Sequence, residues 1–314
     1  MKTKNQKLLS AICVCLFILN TSVYSQEADE KKADETITET SESNVKKQAS
    51  DMALVIRGGF GFGPVDYGFE AFKTDRNNVM SGSAFGADIG AMFNYRFIAA
   101  EIGILFSLIN DLEGKQDYMG IEKTVKYMGT GTLVSFDIKL GAKLLTKPGD
   151  MGYIFPFIGL RNSPIERKLE KIEIDGNQTE ASGDTLIEPN GLILGFRDLT
   201  TVPLGSFSLL IQSGFFLNFS MADERTDRYY DMTKNEEVEE TSKLNKPEPL
   251  GMGFEIGLGA AFEDAGLSVF LNYKWDQNGT IVESEQQING EYPKGLFYAD
   301  TSKFYLTVTK EIPF

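Results

Sequence analysis

The 314-residue chain has no histidine, a single tryptophan and only two cysteines. Without histidine, every Ser–His or Asp–His catalytic arrangement is excluded. Cys13 and Cys15 both lie in the first apolar run, which is expected to be removed, so the remaining chain offers neither a disulfide nor a thiolate ligand. Zinc would then need an all-carboxylate site. Glu101 and Asp137 are paired carboxylates of the kind that do acid–base work, but cations share their face. The run Gly58-Gly59-Phe60-Gly61-Phe62-Gly63 is followed by neither a lysine nor a helical pattern, so it is strand glycine rather than a phosphate loop. The chain is therefore expected to be non-enzymatic, with no cofactor and no metal. Long apolar runs are also missing: after Met52 nothing approaches the length that a membrane-spanning helix needs.

What is present at the start is a set of export features. Lys2, Lys4 and Lys7 precede an apolar run from Leu8 to Leu19, and Val23-Tyr24-Ser25 supplies small residues at a cleavage site. This pattern predicts a signal peptide over 1–25. Residues 26–50 are rich in Glu, Asp, Lys, Ser and Thr and have no aromatic, so they cannot bury enough apolar area to offset their ordering entropy. They are expected to be a disordered acidic tether, leaving 51–314 as the folded part.

From Met52 onward the recurring signal is alternation with a period of two. Ten segments show it, at about 52–63, 83–95, 98–109, 130–145, 153–162, 190–199, 206–219, 251–262, 267–275 and 303–314. The third sets Ile98, Ala100, Ile102, Ile104, Phe106 and Leu108 against Glu101, Gly103 and Ser107, as a two-faced strand requires. The fifth is apolar on both faces, which leaves its orientation open, and Pro156 must sit at a bulge or a gap in the ladder. Long polar connections (64–82, 110–129, 163–189, 220–250, 276–302) alternate with short ones at 96–97, 146–152, 200–205 and 263–266. Long loops on one side and short turns on the other are the asymmetry of a membrane barrel.

One hairpin can be registered. Glu263-Asp264-Ala265-Gly266 suits a four-residue loop with Gly266 in the left-handed region. This pairs Phe262 with Leu267, Ile256 with Tyr273, Phe254 with Trp275 and, on the other face, Glu255 with Lys274. Phe254, Tyr273 and Trp275, together with Tyr95 on another segment, are the expected interfacial aromatic girdle.

The last segment alternates to the end of the sequence, with Phe304, Leu306, Val308, Ile312 and Phe314 on one face. A terminal aromatic on such a strand resembles the assembly signal of bacterial outer-membrane β-barrels. With the export features, the glycine-rich strands and Pro156-Phe157-Ile158-Gly159, the chain resembles small outer-membrane barrels of the OmpA/OmpW type. The resemblance marks an architecture: an all-β, antiparallel, up-and-down transmembrane barrel of about ten strands in the outer membrane. Ten strands departs from the eight usual in those families, so no ligand or activity is carried over. The outer-membrane phospholipases, lipid A deacylases, palmitoyl transferases and omptin-type proteases are families that rely on histidine. Partners implied are outer-membrane lipid and the barrel-assembly machinery, reached through Phe314.

The polar face becomes the barrel interior, receiving Arg57, Asp88, Glu101, Asp137, Lys139, Arg197, Gln212, Glu255, Asn272, Lys274 and Glu311. Charges of both signs in so narrow a space are expected to pair. Outside, removing the three signal lysines takes the net charge from −14 to −17. The connections 163–188, 221–250 and 276–300 are each net acidic, which argues against nucleic acid and favours cations, including divalent ions at the loops. Three functions follow: a porin-like channel for small cationic or neutral solutes, a non-conducting structural or adhesive surface barrel, and an exported soluble β-barrel carrier.

Overall fold

The computed structural model describes residues 52–71, 77–117, 124–145, 152–174, 176–231, 234–283 and 294–314. The expected signal peptide and tether lie outside the described residues. The strands are β1 (Met52–Ala71), β2 (Asn77–Tyr95), β3 (Ile98–Asp117), β4 (Thr124–Ala142), β5 (Leu144–Leu145), β6 (Tyr153–Asn162), β7 (Ile165–Ile174), β8 (Asn177–Ile187), β9 (Asn190–Pro203), β10 (Ser208–Met221), β11 (Glu224–Asp231), β12 (Glu236–Lys243), β13 (Glu248–Phe262), β14 (Leu267–Glu283) and β15 (Lys294–Pro313). Ten of them close an antiparallel ring in the order β1, β2, β3, β4, β6, β9, β10, β13, β14, β15, with β15 returning to β1. Pairing between β4 and β6 completes the wall.

The strand register fixes the geometry of that ring. Stepping across the ladder from Leu54 passes through Phe93, Ala100, Leu140, Ile158, Leu194, Leu217, Met252, Gln277 and Asp300, and returns to β1 at Asp66. The stagger is twelve residues (54 to 66), and spread over ten strands it tilts them by about 40°. The outward apolar residues of β2 run from Tyr95 through Phe93 and Ile89 to Phe85, after which Ser83 is outward and polar. Ten residue steps at that tilt rise about 25 Å, the height of the lipid-facing band of such barrels. The same boundary falls between Leu108 and Asn110 on β3 and between Phe62 and Asp66 on β1.

Local chemistry closes the short-turn end. Gly266 has φ +57° after the turn Glu263–Ala265, and every hairpin pair expected from the sequence is present, from Phe262 with Leu267 to Phe254 with Trp275. Pro156 sits at a gap in the ladder. Pairing of β4 with β6 stops at Gly141 with Phe157 and resumes only as β5, at Leu144 with Ile154. The orientation of β6 is also settled: Ile154, Ile158 and Leu160 face outward, while Phe155, Phe157 and Arg161 face inward.

The long connections differ from expectation in one respect, because they are themselves largely strand. β1, β2, β3, β4, β14 and β15 run on past the apolar band, and the hairpins β7–β8 and β11–β12 add to the same sheet. Apolar alternation marks where lipid ends rather than where hydrogen bonding ends, so it stopped short of the strand ends. Beyond the band the interior becomes an apolar core of Val65, Tyr67, Met80, Ala84, Ile109, Leu112, Leu133, Ile165 and Ala299.

Candidate functional site

Strand alternation places an inward residue at every second position, and in the membrane band those positions carry charges. Glu101 on β3 is the hub. Its carboxylate accepts from Arg197 Nη1 at 2.7 Å, Lys139 Nζ at 3.2 Å and Arg57 Nη1 at 3.4 Å. Arg57 also reaches Asp88 at 3.2 Å, and Asp88 accepts from Lys274, which lies 3.7 Å from Glu255. On the other side Lys139 lies 3.4 Å from Asp137, and Arg161 grips Asp137 through two bonds of 2.7 and 2.8 Å. Arg161 Nη1 then donates to both oxygens of Asp276 at 3.0 Å. Five cations and five carboxylates are thus joined in one chain of pairs across the lumen. Burying so many ions is tolerable only because each finds an opposite charge and further hydrogen bonds.

Of the charges expected in the lumen, Arg57, Asp88, Glu101, Asp137, Lys139, Arg197, Glu255 and Lys274 join the network, whereas Glu311, half-buried near the end of β15, takes no part in it. The expected Glu255–Lys274 pair is its longest link. Asn272 is also inward and donates to Thr307 at 3.1 Å. Arg161 and Asp276 were not anticipated. Arg161 lies on the segment whose orientation the apolar pattern left open, although a guanidinium cannot face lipid and so fixes that parity. Asp276 was assigned to a connection, yet it continues the inward parity of Lys274.

Apolar layers lie above and below the network. The core around Leu133 and Ile109 covers it on the long-loop side. Toward the short turns, Met92, Ala99, Phe155, Phe157 and Ile193 pack together, with Leu199, Leu210, Ala261 and Phe270 beside them. Between the layers is a cavity of about 80 Å³ bounded by the ion pairs and by Phe157, Phe216, Lys303 and Tyr305. About 15 Å³ is enough for one water, so the space has room for a handful of water-sized groups.

On the outer surface, Phe254 lies 5.7 Å from both Tyr273 and Trp275, and Tyr273 lies 5.1 Å from Phe304. Three of the four expected girdle residues therefore form one cluster. Tyr95 sits at the opposite rim, where the Arg96 guanidinium lies 5.5 Å from its ring centre. Phe314 is exposed at that rim, and its backbone N–H donates to the carbonyl of Met52 at 3.1 Å. The last residue thus helps close the barrel onto its first strand.

No protein-family model and no curated protein matches the chain. Solved structures do. The outer-membrane protease OmpT from Escherichia coli is 10% identical, with a TM-score of 0.55 over 83% of this chain and 96% of that one. The translocator domain of autotransporter NalP from Neisseria meningitidis is 12% identical, covers 93% and 95%, and scores 0.34. The toluene transporter TodX from P. putida is 9% identical, covers 83% and 90%, and scores 0.27.

The fold is that of a bacterial outer-membrane β-barrel.

The match to OmpT corrects one expectation. The chain was expected to be non-enzymatic, yet a protein with this fold is an outer-membrane protease. The architecture is therefore compatible with an enzyme, and the expectation is withdrawn. The likeness extends to the fold alone.

Proposed function

We propose that the protein is a non-conducting surface barrel, in which a salt-bridged plug holds the membrane band rigid and the strand extension beyond it is the working part. The observation that carries this reading is the layering of the lumen. The ion-pair network spans the lumen between two apolar layers, and the cavity beside it is only about 80 Å³. A channel for solutes needs a continuous polar path, and a ten-stranded ring has little room once its side chains are this large. The exterior of the extension is acidic and well suited to contact cationic surfaces or divalent ions, with Glu236, Glu237, Glu239 and Glu240 all exposed on β12. Phe314 is read as the residue that the assembly machinery recognises.

Single-channel recording of refolded protein in planar bilayers tests the reading. Silent bilayers, with the barrel shown intact by heat-modifiable migration, are the expected result. Discrete conductance steps would restore the porin-like alternative. Exchange of 163–189 or 220–250 should abolish surface binding while leaving the barrel intact.

A further inference from the structure

We propose that the lumen holds one small monovalent anion of the halide class, bound against Lys303 and Tyr305. The five cations and five carboxylates joined by ion pairs cancel one another. Lys303 on β15 is the sixth inward cation of the same region, and it is 1% exposed. Among the described residues no carboxylate lies within ion-pairing distance of it; its hydrogen-bond partner is the neutral hydroxyl of Ser107. Asp276 on the same cavity wall already gives both its oxygens to Arg161.

A second group points to the same place. Tyr305 is also 1% exposed, and among the described residues its buried hydroxyl makes no well-formed hydrogen bond; the Ser107 hydroxyl beside it already accepts from Lys303. Both residues line the cavity. An ammonium with unused N–H donors, a phenol O–H without a well-formed hydrogen bond and a small void together make a site that offers donors and one surplus positive charge. Water would satisfy the donors but not the charge, and an uncompensated buried ion is costly. A halide does both and is close to water in size. A divalent or bulky anion would overshoot the single surplus charge or the space.

The inference rests on the sealed lumen proposed above, since an open pore would screen Lys303 with solvent. The protein is refolded and crystallised in bromide, and anomalous diffraction is recorded at the bromine edge. The expected result is one peak in contact with Lys303 Nζ, lost in Lys303→Met when that variant keeps heat-modifiable migration. An empty cavity in the wild type, or a peak that survives Lys303→Met, overturns the proposal. Should Lys303→Met fail to refold, Tyr305→Phe takes its place, with the peak expected to weaken at least twofold; an unchanged peak also overturns the proposal. Conductance steps would break the sealed lumen, whereas silent bilayers with no bromide would break the anion site alone.

Discussion

The membrane band and the extension beyond it are built from the same strands with opposite polarity. On β4, Leu140, Ile138 and Phe136 point outward into lipid, while Lys139 and Asp137 point inward. A few residues further along, Leu133 points inward and is fully buried, while Thr132 and Thr130 face out, bonded to Glu166 and Glu170. On β1 the inward series runs from Arg57 to Val65 and Tyr67. The inversion occurs where the surrounding solvent changes from hydrocarbon to water. Below it, the interior can afford charge only by pairing it; above it, ordinary apolar burial holds the sheet together. The lesson is that on β1 and β4 strand parity is continuous while the meaning of each parity is set by the medium; on β3 a bulge between Ile109 and Leu112 resets the parity itself.

The largest effect should come from breaking the paired interior. Glu101→Ala removes the carboxylate shared by Arg57, Lys139 and Arg197, leaving three buried cations short of a partner. Removing one side of a buried pair costs about 3–5 kcal/mol. Urea titration of the barrel in lipid vesicles, followed by tryptophan fluorescence of Trp275 and by heat-modifiable migration, should show a lower midpoint or no folded population. A midpoint equal to that of the wild type would mean that the network is not what rigidifies the band.

How much of this was legible follows from the inversion. Within the band each apolar residue that faces lipid is matched by an inward partner of different character, so all ten segments and every expected lumen charge but Glu311 could be read. The hairpin at Gly266 was readable to the residue because turn chemistry and lipid-facing parity agreed. Above Ser83 and Asn110 the same parity carries the opposite polarity, and bulges at Ser81/Ser83 and Ile109/Leu112 shift the register. A pattern of apolar-out alternation therefore ends there although the strand continues. Arg161 and Asp276 were missed at opposite ends of this problem, one on a strand apolar on both faces and the other just past the band. No local pattern could reveal Lys303 as surplus, because that depends on counting partners contributed by eight other strands.

A medium-sized effect tests where the inversion lies. Ile89 and Ser83 share the outward face of β2, with Ile89 59% exposed in the middle of the band and Ser83 just beyond it. A lysine on the lipid face costs about 2–4 kcal/mol at the bilayer midplane and about 0–1 near the interface. Ile89→Lys should therefore lower the urea midpoint in vesicles clearly, and Ser83→Lys hardly at all. Equal losses at the two positions would place the lipid boundary elsewhere.

The smallest effect belongs to the ion pairs of the extension. Arg228 Nε donates to Glu239 at 2.8 Å across the β11–β12 hairpin, with both side chains half exposed to water. The bond to Glu239 raises the guanidinium pKa further above an already high value, so it changes no charge at any working pH. Water and salt screen such a pair, which is why geometry as good as that of the buried network contributes so little here. Glu239→Gln should leave the urea midpoint and the heat-modifiable migration unchanged. A loss comparable to that of Glu101→Ala would mean that the extension, like the band, is held by its charges, and the contrast between the two regions would fail.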